Sequence, residues 1–446
     1  MNFLNRIAKT TAKIEAHELR AVLLSFAFVF TILASYYILR SIRDGLASDW
    51  TDVELSTIWT FTFFISFLVV ALYGFACSKI KFKYLVPGVY AFFALTFFSL
   101  YILINTLPEF KLTNQIFYVW VSVFSLLNIS VFWSFMADIY SKQQATRLFG
   151  FIAAGSSLGA IFGPTISLLL ATKIGSYNLI LVSASLLIVP VFIATVLEKI
   201  RASDLGAQEK NQGYDQPLGA NILSGFKEFA LNRLLLGIGI FIVLYTGIST
   251  FIYFELKNIL VDYNQDLRTQ IWAGMDLAVN VLAVVTAMFA TSRLAIRFGL
   301  SVTLPLVPII IILGLLIVAV SPILWVVVGL QIVRRAGEYS ITKPAREMLF
   351  TIVDRESRFK AKSVIDVVVY RAGDIFWAWA FTGLTQVLGM SLAAIALVGA
   401  GIASMWSLLA VYLGRYFDKH QVVQLRHATL ETIFLNSKNS MLRYLA

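Results

Sequence analysis

The sequence predicts an all-α polytopic membrane protein of twelve transmembrane helices in two six-helix halves, and three observations predict it. Hydrophobic residues make up 59% of the 446 positions and charged ones only 14%, where soluble domains average about a quarter charged. Mean hydropathy is +0.80, and apolar windows of about 20 residues recur along almost the whole chain, each long enough to cross about 30 Å of hydrocarbon as a helix. One long polar stretch divides these windows six and six. A transmembrane barrel would show short alternating segments instead.

The windows place spans near 20–42, 55–78, 84–106, 114–137, 147–172, 177–198, 232–255, 270–292, 300–320, 322–342, 363–387 and 391–414. The N-terminus is basic and polar, and the first apolar stretch is too long for a signal-peptide core, so it is read as a retained helix. Alternate loops sort by charge. One set carries Arg6, Lys9, Lys13 and Arg20, then Lys79, Lys81 and Lys83, then Lys142 and Arg147, then Arg293 and Arg297, then Arg415 and Lys419. The other set carries Asp49, Asp52, Glu54, Glu109, Asp262 and Asp266. The positive-inside rule then puts both termini in the cytoplasm and explains the net charge of +11 without invoking nucleic acid. The expected setting is a bacterial inner membrane, the partner is the lipid bilayer, and the chain is read as a monomer.

The polar connection 199–231 carries Gly206, Gly213, Pro217 and Gly219. It separates an N-terminal half, 1–198, from a C-terminal half, 232–415, which a polar and basic tail, 416–446, follows. Two six-helix halves joined by a cytoplasmic linker resemble the layout of the major facilitator superfamily, whose halves repeat about an axis along the membrane normal.

Enzymatic chemistry finds little support. Cys77 is the only cysteine, which excludes an intrachain disulfide and a cysteine metal cluster. His17, His420 and His427 lie in the tails, so no histidine metal site is expected inside the membrane. No cofactor is expected. Span five reads Gly155, Ser157, Gly159, the spacing of a hydrolase elbow, but no strand precedes it and no histidine can reach it. The same stripe, Gly155, Gly159 and Gly163, offers close helix packing instead, and Pro164 behind it is expected to perturb the helix.

Charges inside the spans are the candidates for function, because they are costly there without a partner. Arg40 and Arg43 end span one, three residues apart on one helical face. They read either as an interfacial pair snorkelling outward or as an anion-facing site. Asp138 ends span four near Lys142 and Arg147, where a structural pairing is expected. Span eight carries Asp276 and Asn280. Span ten carries Arg334, Arg335 and Glu338, and span eleven Asp366, Tyr370, Arg371 and Asp374. Arg371 has Asp374 one turn away, so a local ion pair explains it. Adjacent Arg334 and Arg335 cannot share a face, and guanidinium forks suit phosphate or carboxylate. Between spans ten and eleven, Lys343, Arg346, Arg355, Arg358, Lys360 and Lys362 form the densest basic cluster of the chain.

Three motifs carry a narrower resemblance. The run Tyr339 to Met348, with Phe359 to Val368, resembles the segment between spans ten and eleven of the ATP/ADP translocases of plastids and intracellular bacteria. The run Tyr37 to Asp44 is similar to the end of their first span, and Phe132-Trp133-Ser134-Phe135 to part of their fourth. The resemblance is nearest to translocase-like members of free-living bacteria. It implies a twelve-span nucleotide exchanger with basic and acidic residues on spans one, four, seven and eleven. Carried over by position, Arg43 stands where the family has lysine, Val121 stands near its span-four acid, Glu255 matches the span-seven acid with an offset of one, and Lys362 matches the basic position before span eleven.

The sequence therefore predicts a secondary transporter, not an enzyme, moving an anionic solute such as a nucleotide or other phosphorylated compound, with Arg40, Arg43, Arg334, Arg335, Glu255 and Lys362 as substrate contacts. Two alternatives stay open. One is proton-coupled transport of a neutral or cationic solute, with Asp276, Asp366 and Asp374 as carriers and Arg371 as a charge partner. The other is a lipid-handling or scaffold protein that kept a transporter fold.

Overall fold

The computed structural model describes residues 14–107, 111–205, 222–291, 294, 297–353, 357, 361–362 and 364–445. Arg6, Lys9, Lys13, Glu109, Arg293, Arg355, Arg358 and Lys360 lie outside the described residues, as does most of the linker, 206–221.

The described residues are predominantly helical, with no strand among them. Helix α1 is Leu19–Ala47, α2 is Asp52–Lys79, α3 is Phe82–Thr106, α4 is Lys111–Ile139 and α5 is Lys142–Ile174. Polar caps set two of these starts. The Thr51 hydroxyl accepts from the Glu54 N–H at 3.2 Å and the Glu54 carboxylate accepts from the Thr51 N–H at 2.9 Å, a reciprocal box that Ser141 and Gln144 repeat ahead of α5. Pro164 does not end α5, which runs through it as one 33-residue helix. Span six breaks instead, into α6 (Asn178–Leu186) and α7 (Ile188–Leu205). Pro190 has no N–H for the Leu186 carbonyl, and the break falls between them.

Helices α8 (Ile222–Leu231), α9 (Arg233–Ile259), α10 (Gln265–Thr286) and α11 (Leu300–Val320) follow. Then come α12 (Leu324–Gly337), α13 (Lys343–Leu349), α14 (Tyr370–Thr382) and α15 (Leu392–Leu445). Among the described residues, 10 helices are long and apolar enough to cross a membrane. Expected spans ten and eleven do not count as single long helices because π-helical turns interrupt them, at Glu338–Thr342 in the first, and at Val364–Val369 and Gly383–Val387 flanking α14 in the second. Helical backbone nevertheless continues from 324 to 352 and from 364 to 387.

Two compact units result. The first comprises Met1–Pro217, Tyr253–Leu282 and Ala378–Gly389. Its glycine stripe packs as expected. A methyl group at Gly155 would lie 2.6 Å from the Phe26 carbonyl oxygen, and Gly159 and Gly163 face the carbonyls of Phe30 and Ala34 in the same way. Small residues therefore set backbone against backbone along α1 and α5. Around them Phe28 meets Phe132 edge-on at 5.2 Å and Tyr90 at 5.3 Å. Phe61, Phe64, Phe67, Leu68 and Phe75 of α2 are all exposed, a face that suits hydrocarbon rather than water.

The second unit comprises Leu218–Ile252, Ala283–Trp377 and Met390–Ala446. Here α11 and α15 lie closest, with Gly414 directly against the Ser301 backbone. Asp418 of α15 caps α11: its carboxylate oxygens accept from the Leu300 and Ser301 N–H groups, each at 3.0 Å. Gly299, at φ +72, turns the chain into that cap.

Candidate functional site

In the first unit, α1 brings Arg40, Arg43 and Asp44 onto one patch. Arg43 Nε and Nη2 both donate to Asp44 Oδ1, at 2.9 and 2.7 Å. Arg40 Nε lies 3.5 Å from Asp44 Oδ2 and 3.7 Å from Asp276 Oδ2 of α10. Two guanidiniums thus meet two carboxylates, and the formal charge of the patch cancels. Neither arginine snorkels: their side chains are 17% and 13% exposed, and both aspartates 1%. Asp44 and Asp276 thus balance the charge of Arg40 and Arg43.

Hydrogen bonds fix this patch from several helices. Tyr253 of α9 donates to Asp44 Oδ1 at 3.2 Å, and Arg43 reaches Ser122 of α4 at 3.4 Å with its guanidinium 5.2 Å from the Tyr118 ring centre. Tyr37 donates to Asn280 Oδ1 at 3.2 Å, while the Asn280 amide donates to the carbonyls of Ala160 and Asp276. Glu255, also on α9, is 1% exposed, and neither carboxylate oxygen has a hydrogen-bond partner among the described residues.

In the second unit, Arg334 of α12 is 4% exposed. It donates from Nε to the Gln331 side-chain oxygen at 2.8 Å and from Nη1 to the Tyr245 hydroxyl at 3.3 Å, with its guanidinium 5.9 Å from the Tyr245 ring centre. Both partners are neutral. No carboxylate lies within 4 Å of this guanidinium among the described residues. Arg335 is buried as well, and the π-helical turn Glu338–Thr342 begins one turn further on. Such turns are frequent at functional sites.

The remaining expected residues form local pairs. Lys362 bonds the Glu347 carboxylate, Glu347 lies 3.1 Å from Arg346, and Arg346 lies 3.5 Å from Asp366, so two cations and two anions alternate. Burial alone would raise the Glu347 carboxyl, but hydrogen bonds from Lys362 and Arg346 outweigh it and hold it below the ordinary carboxylate range. Arg371 and Asp374 lie 3.8 Å apart, one turn from each other. Asp138 does not pair with its sequence neighbour Arg147. It takes Arg201 of α7, at 3.1 Å, and Arg147 goes to Glu18 at 2.8 Å.

Glu18 is also the buried member of a trio with Glu15 and His17 whose spacing would admit a metal. Its oxygens already accept from Arg147, from Gln144 at 3.0 Å and from the Glu15 N–H at 3.1 Å. Burial alone would raise this carboxyl too, yet those bonds hold it below the ordinary range. An ion-pair network accounts for the trio without a metal.

The sequence matches the family model of the Major Facilitator Superfamily over residues 21–337. The chain belongs to that superfamily. No curated protein matches it in sequence. Among solved structures of the superfamily fold, the nucleoside transporter NupG is 14% identical with a TM-score of 0.63, covering 90% of this chain and 99% of its own. A bacterial homologue of the human lysosomal transporter Spinster is 11% identical with a TM-score of 0.57, covering 91% and 97%. An auto-inhibited POT family peptide transporter is 13% identical with a TM-score of 0.59, covering 89% and 96%. At these identities the likeness establishes the fold alone; membership of the superfamily rests on the family model, and the solute is left to chemistry.

Sequence reasoning passed over Asp44, Tyr245 and Gln331 as site residues. Asp44 had a legible signal, standing next to Arg43 and four residues from Arg40 on one helix. Gln331 stands three residues before Arg334 in the same way. Tyr245 had none, because only folding brings α9 against α12.

Proposed function

We propose that this chain is a secondary transporter that moves an anionic solute, a nucleotide or other phosphorylated compound, by alternating access and in exchange for a second anion. The observation that carries this reading is Arg334. Among the described residues the hydrogen-bond partners of this buried guanidinium are an amide oxygen and a phenol, neither of which carries a charge, and a buried charge is stabilised by an opposite one in contact with it. Phosphate matches its planar fork of donors. Arg335 and Lys362 are proposed as further contacts, and the resemblance of the Tyr339 to Met348 run to the ATP/ADP translocases supports the same solute class. Arg40, Arg43 and Glu255 belong to the proposed path on the other unit. The proposed setting is a bacterial inner membrane with both termini cytoplasmic, and the protein working as a monomer.

Purified protein in liposomes loaded with unlabelled ATP should take up labelled ADP, and Arg334→Gln should abolish that uptake while Arg334→Lys keeps part of it. Uptake unaffected by Arg334→Gln would end the reading.

A second reading, proton-coupled transport of a neutral or cationic solute, is favoured by the Arg40–Asp276 pair. In a patch whose charges cancel, a proton arriving on Asp276 would release Arg40 from one of its two carboxylates. Asp366 and Asp374 are further carriers in this reading. It requires transport that collapses when a protonophore removes the gradient, whereas pure anion exchange persists.

A further inference from the structure

A cavity of about 460 Å³ lies in the first unit, where the end of α1 meets the starts of α4, α6 and α10. Its volume falls within the range of small-ligand sites, roughly 300–1,000 Å³. Of its lining residues Trp50 is buried, whereas the side chains of Asp49 and Lys111 are 61% and 48% exposed, so the cavity meets solvent past two charges. Both charges are already matched. Arg268 Nη1 donates to Asp49 Oδ1 at 2.9 Å, and Lys111 Nζ lies 2.7 Å from Glu54 Oε1. The carbonyls of Leu260, at 3.0 Å, and Val261, at 2.5 Å, fix Arg268 further. The rest of the lining is neutral and polar. The Asn114 amide donates to the Tyr177 hydroxyl at 3.4 Å and the Gln265 amide to the Thr269 hydroxyl at 3.3 Å. Each amide keeps its oxygen and one N–H without a partner among the described residues. Tyr177 and Tyr263 add apolar ring surface beside their hydroxyls. The Asp266 carboxylate accepts from the Ser176 N–H at 2.7 Å and ties the α10 wall to the Tyr177 wall, so the walls are set before a ligand arrives.

We propose that this cavity binds a neutral polyhydroxylated compound, a saccharide of one or two rings. An ionic ligand gains little here, because every charge that would attract it has its opposite in contact. An apolar ligand would cover the amides and charges without bonding them. A hydroxyl group uses both signs at once: it donates to the exposed Asp49 carboxylate and accepts from Lys111, and hydrogen bonds to charged groups are stronger than neutral ones. Asn114 and Gln265 offer the same pairing of donor and acceptor without charge. None of the lining residues is a proposed contact of the transported anion, so this is a second site for a second kind of compound.

The test titrates the full-length protein in lipid nanodiscs with radiolabelled maltose and radiolabelled trehalose. Alkyl glycoside detergents are left out, because their headgroups are themselves saccharides. Saturable binding of at least one of the two sugars is expected, with a Kd below about 10 mM. The unlabelled sugar should displace it, and neither ADP nor glycine betaine should. Asn114→Ala and Gln265→Ala each remove neutral hydrogen bonds and should weaken binding at least about threefold, and weakening by either one places the sugar in this cavity. Asn114→Trp, which fills the cavity, should abolish binding; the alanine variants decide if the tryptophan variant does not melt cooperatively. No saturable binding of either sugar, or affinities within about twofold of wild type in both alanine variants, overturns the proposal. Displacement by ADP would put the sugar in the anion path, and displacement by glycine betaine would make charge the recognised feature; either result overturns it as well. Binding is read without transport, so a failure of the uptake assay that decides the anion reading leaves this result standing.

Discussion

Arg334 Nη1 donates to the Tyr245 hydroxyl at 3.3 Å, and the same tyrosine packs its ring 5.7 Å from Trp406 and 6.1 Å from Tyr370. The phenol therefore aims a cation while its ring is fixed by aromatic neighbours. Tyr245→Phe deletes the aiming hydrogen bond and keeps the ring. One neutral hydrogen bond contributes about 0.5–1.5 kcal/mol, so KM for the proposed anionic solute is expected to rise about two- to tenfold with little change in Tm. A KM that stays constant would mean that Tyr245 does not orient Arg334 toward the solute.

The stripe on α5 gives a prediction about stability. At Gly159 an added methyl would collide with the Phe30 carbonyl oxygen, a backbone atom that cannot rotate aside, whereas at Gly150 nothing lies within 4 Å. Overpacking costs about 1–3 kcal/mol, while Gly→Ala in an open helical position gains roughly 0.5–1 kcal/mol. Gly159→Ala should therefore lower the melting temperature in detergent, and Gly150→Ala should leave it level or raise it. The reverse order would sink the close approach of α1 and α5.

These two cases show how much was legible. Periodicity and length found the spans, because the requirement to satisfy every backbone group within a helix is local. The glycine spacing gave its packing role for the same reason. Pairings between helices were not local. Asp138 stands four residues from Lys142 and nine from Arg147 in sequence, yet folding hands it to Arg201 and gives Arg147 to Glu18. The π-helical turns in spans ten and eleven also left no sequence signal, since one extra residue in a turn does not alter composition. The contact of Arg40 with Asp276 was not legible either, because Asp276 arrives from a helix more than two hundred positions away.

Glu18 supplies a pH prediction outside the spans. Its carboxyl sits below the ordinary range in the folded protein because bonds from Arg147, Glu15 and Gln144 outweigh its burial. A group depressed on folding stabilises fully above its unfolded value, near 4.3 for glutamate, and that stabilisation is lost as pH falls through the lower folded value. Wild type should melt above Glu18→Gln at pH 6, and the gap should narrow steadily below about pH 4. A gap that stays constant with pH would show that the carboxylate charge contributes nothing; other carboxylates cancel in the difference.

Asp44 tests whether the α1 patch is a charge-balanced unit. With Asp44→Asn, two guanidiniums that are 17% and 13% exposed share the single carboxylate of Asp276. Removing one partner of a buried pair costs about 3–5 kcal/mol, most of it from the charge left behind. The position is only partly sealed, so the lower end of that range applies. Removing Arg43 as well takes away the stranded charge. Asp44→Asn/Arg43→Gln should therefore melt above Asp44→Asn alone, although it carries one more substitution, with a coupling of about 1–3 kcal/mol in the double-mutant cycle. Additive losses would mean that Asp44 acts through its hydrogen bond from Tyr253 and not through charge. In that case Tyr253→Phe would reproduce the whole effect of Asp44→Asn, and the patch would be held by hydrogen bonding across α1 and α9 rather than by its cancelled charges.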